Sequence, residues 1–478
     1  MQSNLKKNYL YNLFYRIVTL LTPLITAPFI SRVLGSGGIG EYSYTFSIAH
    51  FFLIFAALGV SDYGSRSIAR VKDNEEEKNK VFSEIFVLQF SLGIILVALY
   101  VGYSVIFAEE RTLAFIQGMN ILATMFDITW FLFGMELFVV TTIRNVIVKL
   151  LGVAAILIFV RKPDDVWLYA VIMAGSTLLG QLSVWPVLRK FVHFRKPSFR
   201  GVIRHFKPNA ILFLPVIANN LLGYFDKVMI GSMITKQELG WYDNAEKMLS
   251  MPNSLVTALG AVMLPRVTHS IAQGKTKAVK ELTDKSMLFT TFAALAMAFG
   301  ISAVAKQFTP FFFGEGFDPV TPLTYVMAPY IVSVSWASVL KTQCLLPNNM
   351  DKVFVRCLLL GSGINVVLNY FLIPVWGAFG AAAATTVAET LIAITETIAL
   401  RKLIDYKKYL LNALPFFMFG GIMAASIWFI DLGSNIITLL VKIAAGGAIY
   451  LLLSFIYIKR CHSDVLNSLF KKKKRKEK

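Results

Sequence analysis

The sequence predicts an all-α membrane protein with about 14 transmembrane helices, in two parallel six-helix lobes followed by two C-terminal helices. Three observations predict this fold. Of 478 residues, 56% are hydrophobic and only 16% are charged, whereas about a quarter of the residues in soluble proteins are charged. Apolar windows long enough to cross a bilayer recur along the chain. The basic residues are concentrated in alternate connections between these windows.

A helix needs roughly 20 mostly apolar residues to cross the hydrocarbon of a bilayer. Such windows lie at 10–33, 42–62, 84–108, 112–135, 138–160, 166–188, 208–234, 245–265, 286–308, 319–341, 353–375, 378–400, 409–430 and 436–458. The fifth window carries Arg144 and Lys149 in its first half, so it can begin as an interfacial helix. Proline and glycines at 374–380 divide the uncharged stretch 357–388 into two spans.

Basic residues indicate the orientation of the chain, because Lys and Arg concentrate in cytoplasmic loops. With fourteen spans, 37 of the 47 Lys and Arg residues fall on the side of both termini, and 5 fall in the opposite loops. We therefore expect cytoplasmic N- and C-termini. The net charge of +19 then indicates contacts with anionic membrane lipids rather than nucleic acid. The three cysteines have no metal-ligand spacing, and no disulfide framework is expected.

An internal repeat predicts the domain organisation. Ile39-Gly-Glu-Tyr42 and Leu239-Gly-Trp-Tyr242 stand 200 residues apart and follow the first and the seventh span. A repeat unit of six spans, an even number, gives parallel repeats. The expected parts are an N-lobe (1–190), a basic cytoplasmic linker (191–207), a C-lobe (208–402), two further helices (403–458) and a basic cytoplasmic tail (459–478).

Charged residues at membrane depth are costly and are functional candidates by default. Arg16 lies a turn or two inside the first span, where Pro23 and Pro28 can open the helix wall towards a cavity. Asp127 lies about two turns inside the fourth span. It can pair with Arg16 or carry a proton.

A second polar group suits a cation. Two pairs at i and i+4 each share one helix face, and a further carboxylate lies seven residues beyond the second pair. The group comprises Asn365, Asn369, Thr385, Glu389 and Glu396. Asp226 in the seventh span points about 100° away from its neighbour Lys227 and needs a partner elsewhere. Such oxygens suit Na⁺ or a proton relay, and a satisfied interhelical hydrogen-bond network without an ion is an equal alternative.

No enzyme constellation is visible. Four of the five histidines lie in cytoplasmic segments without an acidic cluster. No external loop exceeds about a dozen residues, whereas a polysaccharide polymerase or a lipid-linked transferase should present a larger loop with converging carboxylates or arginines. A polymerase is therefore the weakest of the alternatives.

Five motifs in order carry a resemblance that covers almost the whole chain. They are Ser31-Arg-Val-Leu-Gly35 with Ile39-Gly-Glu-Tyr42, Asp127-x-x-Trp130 with Gly134-x-Glu136, Phe225-Asp-Lys-Val-Met-Ile-Gly231, Leu239-Gly-Trp-Tyr242, and Met263-Leu-Pro-Arg266. On these motifs the chain resembles bacterial flippases for O-antigen, capsule and exopolysaccharide repeat units. Those flippases belong to the multidrug/oligosaccharidyl-lipid/polysaccharide exporter superfamily.

The resemblance implies a transporter of the bacterial cytoplasmic membrane, with alternating access around a central cationic cavity. Its substrate would be an undecaprenyl-pyrophosphate-linked oligosaccharide. By helix position, Arg16, His50 and Lys247 match cavity arginines of related lipid II flippases, although His50 and Lys247 lack the bidentate grip of arginine. Asp127 completes the expected substrate-binding set.

The resemblance also implies an ion site. Asp226, Asn365, Asn369 and Thr385 fall near the sodium site of the lipid II flippases, and Glu389 joins them as a coupling candidate. Asn369 stands where a carboxylate would favour Na⁺, so H⁺ or the membrane potential is the alternative drive. No resident cofactor is expected.

The competing interpretation is a cation-coupled multidrug antiporter of the same superfamily, which would have a smaller and more acidic pocket. Arg16 and His50 beside Asp127 favour an anionic substrate instead. We expect a monomer, with a polysaccharide polymerase and glycosyltransferases as further candidate partners.

Overall fold

The computed structural model describes the backbone of residues 2–433 and 435–462. Side chains are described for these residues except 2–17, 20, 214–215, 218–219, 221–222, 255, 258–259 and 261–262. The described part of the chain contains helices and no β-strand. The predicted all-α fold class is confirmed.

The helices of the first half are α1 (Gln2–Ala57), α2 (Val60–Val71), α3 (Glu75–Ile106), α4 (Arg111–Met125), α5 (Thr129–Gly134), α6 (Phe138–Phe159), α7 (Val166–Leu182), α8 (Trp185–Leu188), α9 (Phe199–Ile203), α10 (Phe206–Met233) and α11 (Lys236–Ala272). Those of the second half are α12 (Thr276–Phe313), α13 (Val320–Leu340), α14 (Asp351–Trp376), α15 (Ala378–Ala399), α16 (Tyr406–Trp428) and α17 (Asn435–Cys461). A π-helix, Lys341–Leu345, continues α13.

Eleven helical segments of the described chain are long and apolar enough to cross a membrane. The first, Leu21–Val71, overlaps the second half of the first predicted span and covers the second span. The seventh and eighth predicted spans lie in α10 and α11. Large apolar side chains lie on their outer surfaces, such as Leu99 and Leu452, which are 58% and 62% exposed. So much exposed apolar surface is unfavourable in water. The multi-pass membrane protein is confirmed, and the count of fourteen spans stays a prediction.

Glycines shape the long first helix. Gly35 interrupts the helical dihedral angles of α1 with φ 69° and ψ 178°, and Gly59, with φ 71°, separates α1 from α2. Positive φ values are accessible to glycine without strain because it has no Cβ. The helix axis therefore changes direction at Gly35, and the part of α1 after this kink carries the candidate residue His50.

The fourth predicted span, 112–135, is a broken helix. Its two parts are α4 and α5, and Asp127 lies in the turn between them. The Asp127 carboxylate accepts hydrogen bonds from the Thr129 backbone N–H at 2.8 Å and from the Thr129 hydroxyl at 2.6 Å. An aspartate side chain that accepts the backbone N–H two residues later forms an Asx turn and satisfies one free N–H at the start of α5, which explains the break in an otherwise apolar stretch.

Two compact units divide the chain, Met1–Gly240 and Trp241–Lys478. In the first unit, α1 packs against α3, α4, α6 and α10. Trp130 is 1% exposed in its core, stacks on Phe82 with ring centroids 5.4 Å apart, and donates its indole N–H to Gln89 Oε1 at 3.0 Å. The predicted lobe and linker boundaries stay predictions.

The glycines of the two predicted repeat motifs lie in close backbone contacts within the first unit. A Cβ added to Gly40 would overlap the backbone carbonyl of Lys236, and one added to Gly240 would overlap the backbone carbonyl of Ser36. Only glycine permits so close an approach. Close backbone packing therefore requires glycine at this position of each motif.

In the second unit, α12 packs against α13, α16 and α17, while α15 packs against both α13 and α14. Gly361 permits the contact of α14 with α15, because a Cβ there would overlap the side chain of Ile392. Trp336 of α13 donates its indole N–H to the Thr397 hydroxyl of α15 at 3.0 Å. These contacts hold α13, α14 and α15 together, and α14 and α15 carry most of the predicted coupling residues.

Candidate functional site

An aromatic stripe follows the second part of α1 in the first unit. Tyr42, Phe46 and His50 are spaced by four residues and so lie on one helix face. The rings of Tyr42 and Phe46 are nearly parallel with centroids 5.9 Å apart, and Tyr169 of α7 meets Tyr42 edge-on at 4.6 Å. Tyr224 of α10 stacks on His50 with centroids 3.8 Å apart. The half-buried rings form a continuous aromatic surface.

Hydrogen bonds orient the His50 ring. Its Nε2 lies 3.1 Å from Asn220 Oδ1, and the Asn220 amide N–H₂ donates to the Val216 carbonyl at 2.8 Å. Because that bond places the amide oxygen towards His50, Nε2 carries the hydrogen and donates it. Nδ1 is buried and has no partner within the described part of the chain. The ring therefore keeps an unused acceptor at Nδ1, which can accept a hydrogen bond from a hydroxyl group of a ligand.

A cation lies at the His50 end of the stripe. The Lys227 Nζ is 5.9 Å from the centroid of the Tyr224 ring, and Lys227 interacts electrostatically with His50. Its neighbour Asp226 is 1% exposed. Aromatic faces next to an ammonium group combine apolar contact with positive charge. This chemistry suits a ligand that carries both sugar rings and phosphate.

The other predicted substrate-binding residues have separate surroundings. The backbone of Arg16 belongs to α1, and its side chain lies outside the described residues. Asp127 serves the start of α5, as described above. Lys247, in α11 of the second unit, pairs with Asp243 one turn earlier at 2.5 Å. The roles of Arg16, His50, Asp127 and Lys247 in substrate binding stay predictions.

The predicted coupling residues fall in both units. Asp226 belongs to the first unit, and Asn365, Asn369, Thr385 and Glu389 belong to the second. The i and i+4 geometry expected in the eleventh span is present, since Asn369 Nδ2 donates to Asn365 Oδ1 at 3.2 Å. Both asparagines are fully buried.

The hydroxyl of Thr385 lies 3.1 Å from the hydroxyl of Tyr242, which belongs to α11. The Asn365 oxygen that could bind Na⁺ thus accepts a hydrogen bond within α14, and the Thr385 hydroxyl takes part in a hydrogen bond between α15 and α11 in this conformation. Among the described residues, no group of three His, Cys, Asp or Glu side chains is placed to hold a metal ion. The coupling role of these residues, with Na⁺ or H⁺, stays a prediction.

Sequence reasoning missed most of the aromatic stripe. It identified His50 and not Tyr42, Phe46 or Tyr224. The spacing of 42, 46 and 50 was a readable signal of one helix face, yet aromatic residues at this spacing are more often core than site. Only the tertiary contact of α10 with α1 adds Tyr224 and Lys227 to the stripe.

The sequence of this chain matches a known protein family. The family described as polysaccharide biosynthesis protein matches residues 5–271, which is more than half of the chain. This chain belongs to that family. The resemblance to polysaccharide flippases indicated by the five sequence motifs is confirmed.

Named relatives of the chain are transporters and flippases. It is 22% identical to a putative O-antigen transporter of Shigella dysenteriae, over 82% of this chain and 98% of that relative. It is 25% identical to the lipid II flippase MurJ of Bacillus subtilis, over 43% of this chain and 41% of MurJ. It is 20% identical to the probable low-salt glycan biosynthesis flippase Agl15 of Haloferax volcanii, over 43% of each chain.

Solved structures share the fold. The lipid II flippase MurJ in its inward closed conformation matches with a TM-score of 0.74 and 15% identity, over 95% of this chain and 99% of that one. An inward-facing multidrug resistance transporter of the MATE family matches with a TM-score of 0.60 and 14% identity, over 80% and 94%. The predicted transporter fold is therefore confirmed.

Proposed function

We propose that this protein is a flippase that carries undecaprenyl-pyrophosphate-linked oligosaccharide repeat units from the cytoplasmic to the outer leaflet for surface polysaccharide synthesis. The family and the named relatives support a transporter of lipid-linked sugars. The identity of the oligosaccharide and transport by alternating access of two lobes are part of our proposal and go beyond that support. The protein acts as a transporter rather than an enzyme.

The aromatic stripe with its basic end is the observation that carries the proposal. A pyrophosphate cannot enter hydrocarbon without groups that replace its hydration. The Lys227 ammonium, a hydrogen-bond donor, lies at one end of a surface whose ring faces can stack on the apolar faces of sugars. Single cations rather than a dense cluster also allow release, because a transported group must leave its site.

The predicted residues complete the proposed cycle. Arg16, His50, Lys247 and Asp127 contact the pyrophosphate and sugars, and Asp226, Asn365, Asn369, Thr385 and Glu389 couple transport to Na⁺ or H⁺. The protein works as a monomer in the cytoplasmic membrane, with both termini in the cytoplasm. The basic loops face anionic lipids there, and a polymerase and glycosyltransferases are its proposed partners.

Deletion of the gene in its host tests the proposal. Surface polysaccharide and the lipid-linked oligosaccharide left on the cytoplasmic leaflet are measured in the deletion strain and in complemented strains. We expect loss of the polymer and accumulation of the intermediate, with rescue by the wild type and no rescue by Arg16→Ala. The exposed Arg200 on α9 provides the matched control, and Arg200→Ala should restore export.

The aromatic stripe has its own variants in the same assay. Tyr224→Phe keeps the ring and should support export, whereas Tyr224→Ala should lower it several-fold, since aromatic contacts contribute about 0.5–1.5 kcal/mol. Normal polymer in the deletion strain with new sensitivity to cationic drugs would contradict the flippase and support the drug antiporter. Full export in Arg16→Ala would contradict the cationic site.

A further inference from the structure

Glu396 is a buried acid near the end of α15 that the proposed transport cycle does not use. It is 1% exposed, and its Oε2 atom has no hydrogen-bond partner within the described residues. Within the same residues, no Lys, Arg or His nitrogen lies close enough to form an ion pair with it. The acid stands in the part of the helix bundle where α13 and α14 both pack against α15.

An ionised carboxylate is strongly disfavoured in such a place. Burial removes the hydration of the charge, and an unpaired buried charge is neutralised by protonation instead. A protonated carboxyl requires no counter-ion and can be held among apolar groups. Unpaired burial of Glu396 therefore favours its protonated form.

A candidate counter-ion lies at the end of α13, a helix that packs against α15. Lys341 begins the π-helix that continues α13 and interacts electrostatically with Glu396. Its Nζ lies over the Phe354 ring, 4.5 Å from the centroid, rather than on the carboxyl group. The four-carbon stem of a lysine allows its ammonium group to move between two such partners.

The π-helix adds a second unusual feature. Gln343 is fully buried in it, and neither its side-chain nitrogen nor its oxygen has a partner within the described residues. π-helical turns are uncommon and often mark functional positions. An unsatisfied buried amide is costly, and this one lies two residues from Lys341 in the same π-helix.

The other titratable groups around Glu396 do not replace Lys341 as a counter-ion. Cys344 and Cys357 interact with it electrostatically and are 6% and 8% exposed. Glu389 on the same helix adds further negative charge. From α16, Tyr409 faces Cys344 and donates its hydroxyl to Asp284 at 2.7 Å.

We propose that Glu396 is a proton-binding site of the second unit and that Lys341 is its exchangeable counter-ion. When the site releases its proton, the O–H bond of Glu396 breaks and the proton passes to water. The Lys341 ammonium leaves the Phe354 ring and pairs with the carboxylate. The use of this proton in transport rests on the proposed function, whereas the binding of the proton does not.

Infrared difference spectroscopy of the purified full-length chain tests the site directly. The carbonyl band of a protonated carboxyl group is followed as the pH is raised. We expect a band that disappears in a single titration, is missing in Glu396→Gln, and persists in the control Glu315→Gln, which alters an exposed acid of the same unit. A spectrum of Glu396→Gln identical to that of the wild type would overturn the proposal.

Lys341→Met keeps the acid and removes the counter-ion, so it serves if Glu396→Gln fails to fold. The carboxyl band should then persist to a higher pH, with its midpoint raised by about 1 pH unit or more, because a nearby opposite charge shifts an acid by that amount. Lys341→Arg should keep the wild-type midpoint more closely. An unchanged midpoint in Lys341→Met would show that Lys341 is not the counter-ion.

Transport in liposomes separates this inference from the proposed function. If the wild type moves lipid-linked oligosaccharide faster with a proton gradient and Glu396→Gln does not respond to the gradient, the proton is used in transport. If the wild type moves no oligosaccharide, the proposed function fails, and the infrared result alone decides on the proton site. Oligosaccharide transport by Glu396→Gln that follows the gradient as in the wild type would overturn a transport role for Glu396.

Discussion

Single polar residues in this protein stabilise breaks between helices and make buried hydrogen bonds. Asp127 is the clearest case, because sequence reasoning assigned it to the substrate and the structure shows its carboxylate on the first turn of α5. The Asp127 carbonyl also accepts from Gln89 Nε2 at 3.0 Å and from Trp130 Nε1 at 3.1 Å. The residue therefore has a structural role whether or not it also contacts substrate.

Substitutions at Asp127 separate these two roles. Asp127→Asn keeps an oxygen for the Asx turn and should keep both stability and export, while Asp127→Ala should cost about 1 kcal/mol of stability through the lost hydrogen bonds to Thr129. Thermal unfolding in detergent measures the first quantity and surface polysaccharide the second. A stable Asp127→Asn protein without export would show that the charge itself is required.

At the scale of elements, the segment before α10 is attached to α2 and α3 by a buried polar network. Glu84 of α3, 1% exposed, accepts from Arg204 at 2.5 Å and from His205 Nε2 at 3.0 Å. His205 Nδ1 in turn lies 2.7 Å from the Tyr63 hydroxyl of α2. A neutral imidazole satisfies both contacts, since Nε2–H donates to Glu84 and Nδ1 accepts from Tyr63.

This network predicts a pH dependence. Burial lowers the pKa of His205 below its ordinary value of 6.5, although the hydrogen bond to Glu84 opposes the shift. The unfolded state then binds a proton at His205 more readily than the native state does. The free energy of unfolding is therefore highest above about pH 6.5 and falls as the pH drops below that value. Thermal unfolding of the wild type between about pH 7.5 and 5.5 should show this fall.

Two histidine variants test the origin of the slope. His205→Gln should unfold with a smaller dependence on pH than the wild type, because it removes the titrating group. His193→Gln, at an exposed histidine of the preceding segment, should keep the wild-type slope. An equal slope in all three proteins would show that another group titrates.

The glycine contacts of the repeat motifs give a second prediction for elements. Gly240→Ala places a methyl group against the Ser36 carbonyl, and such overpacking costs about 1–3 kcal/mol. Its midpoint of thermal unfolding should fall. The control is Gly37→Ala, whose added Cβ meets no atom within 4 Å. A wild-type midpoint for Gly240→Ala would mean that the backbone around Gly240 can move away from Ser36 without loss of stability.

For the whole molecule, the distribution of charge predicts an orientation that thiol chemistry can measure. Cys461 is exposed at the end of α17, whereas Cys344 and Cys357 are buried. A membrane-impermeant thiol reagent should leave intact cells unlabelled and label the protein after permeabilisation, because the C-terminus is expected in the cytoplasm. Cys461→Ser should abolish that labelling, and labelling of Cys461 in intact cells would reverse the predicted orientation.

Much of the fold could be predicted because the signals are local. Apolar windows and charged connections follow from the requirement that spans satisfy their own backbone hydrogen bonds in lipid, and both lie in consecutive residues. The interruption of the fourth span at Asp127 was not predictable in the same way. The Asx turn of one aspartate there outweighs an apolar pattern that otherwise favours one continuous helix.

The sequence by itself determined an all-α membrane protein of the polysaccharide biosynthesis family, because hydropathy, charge and motif order are properties of the chain. The tertiary structure decided which polar residues meet. It placed Tyr224 on His50, His205 on Glu84, and Glu396 beside a π-helix without an ion-pair partner among the described residues. Partners more than a hundred residues apart leave no periodic trace in the sequence, since their meeting depends on how the helices pack.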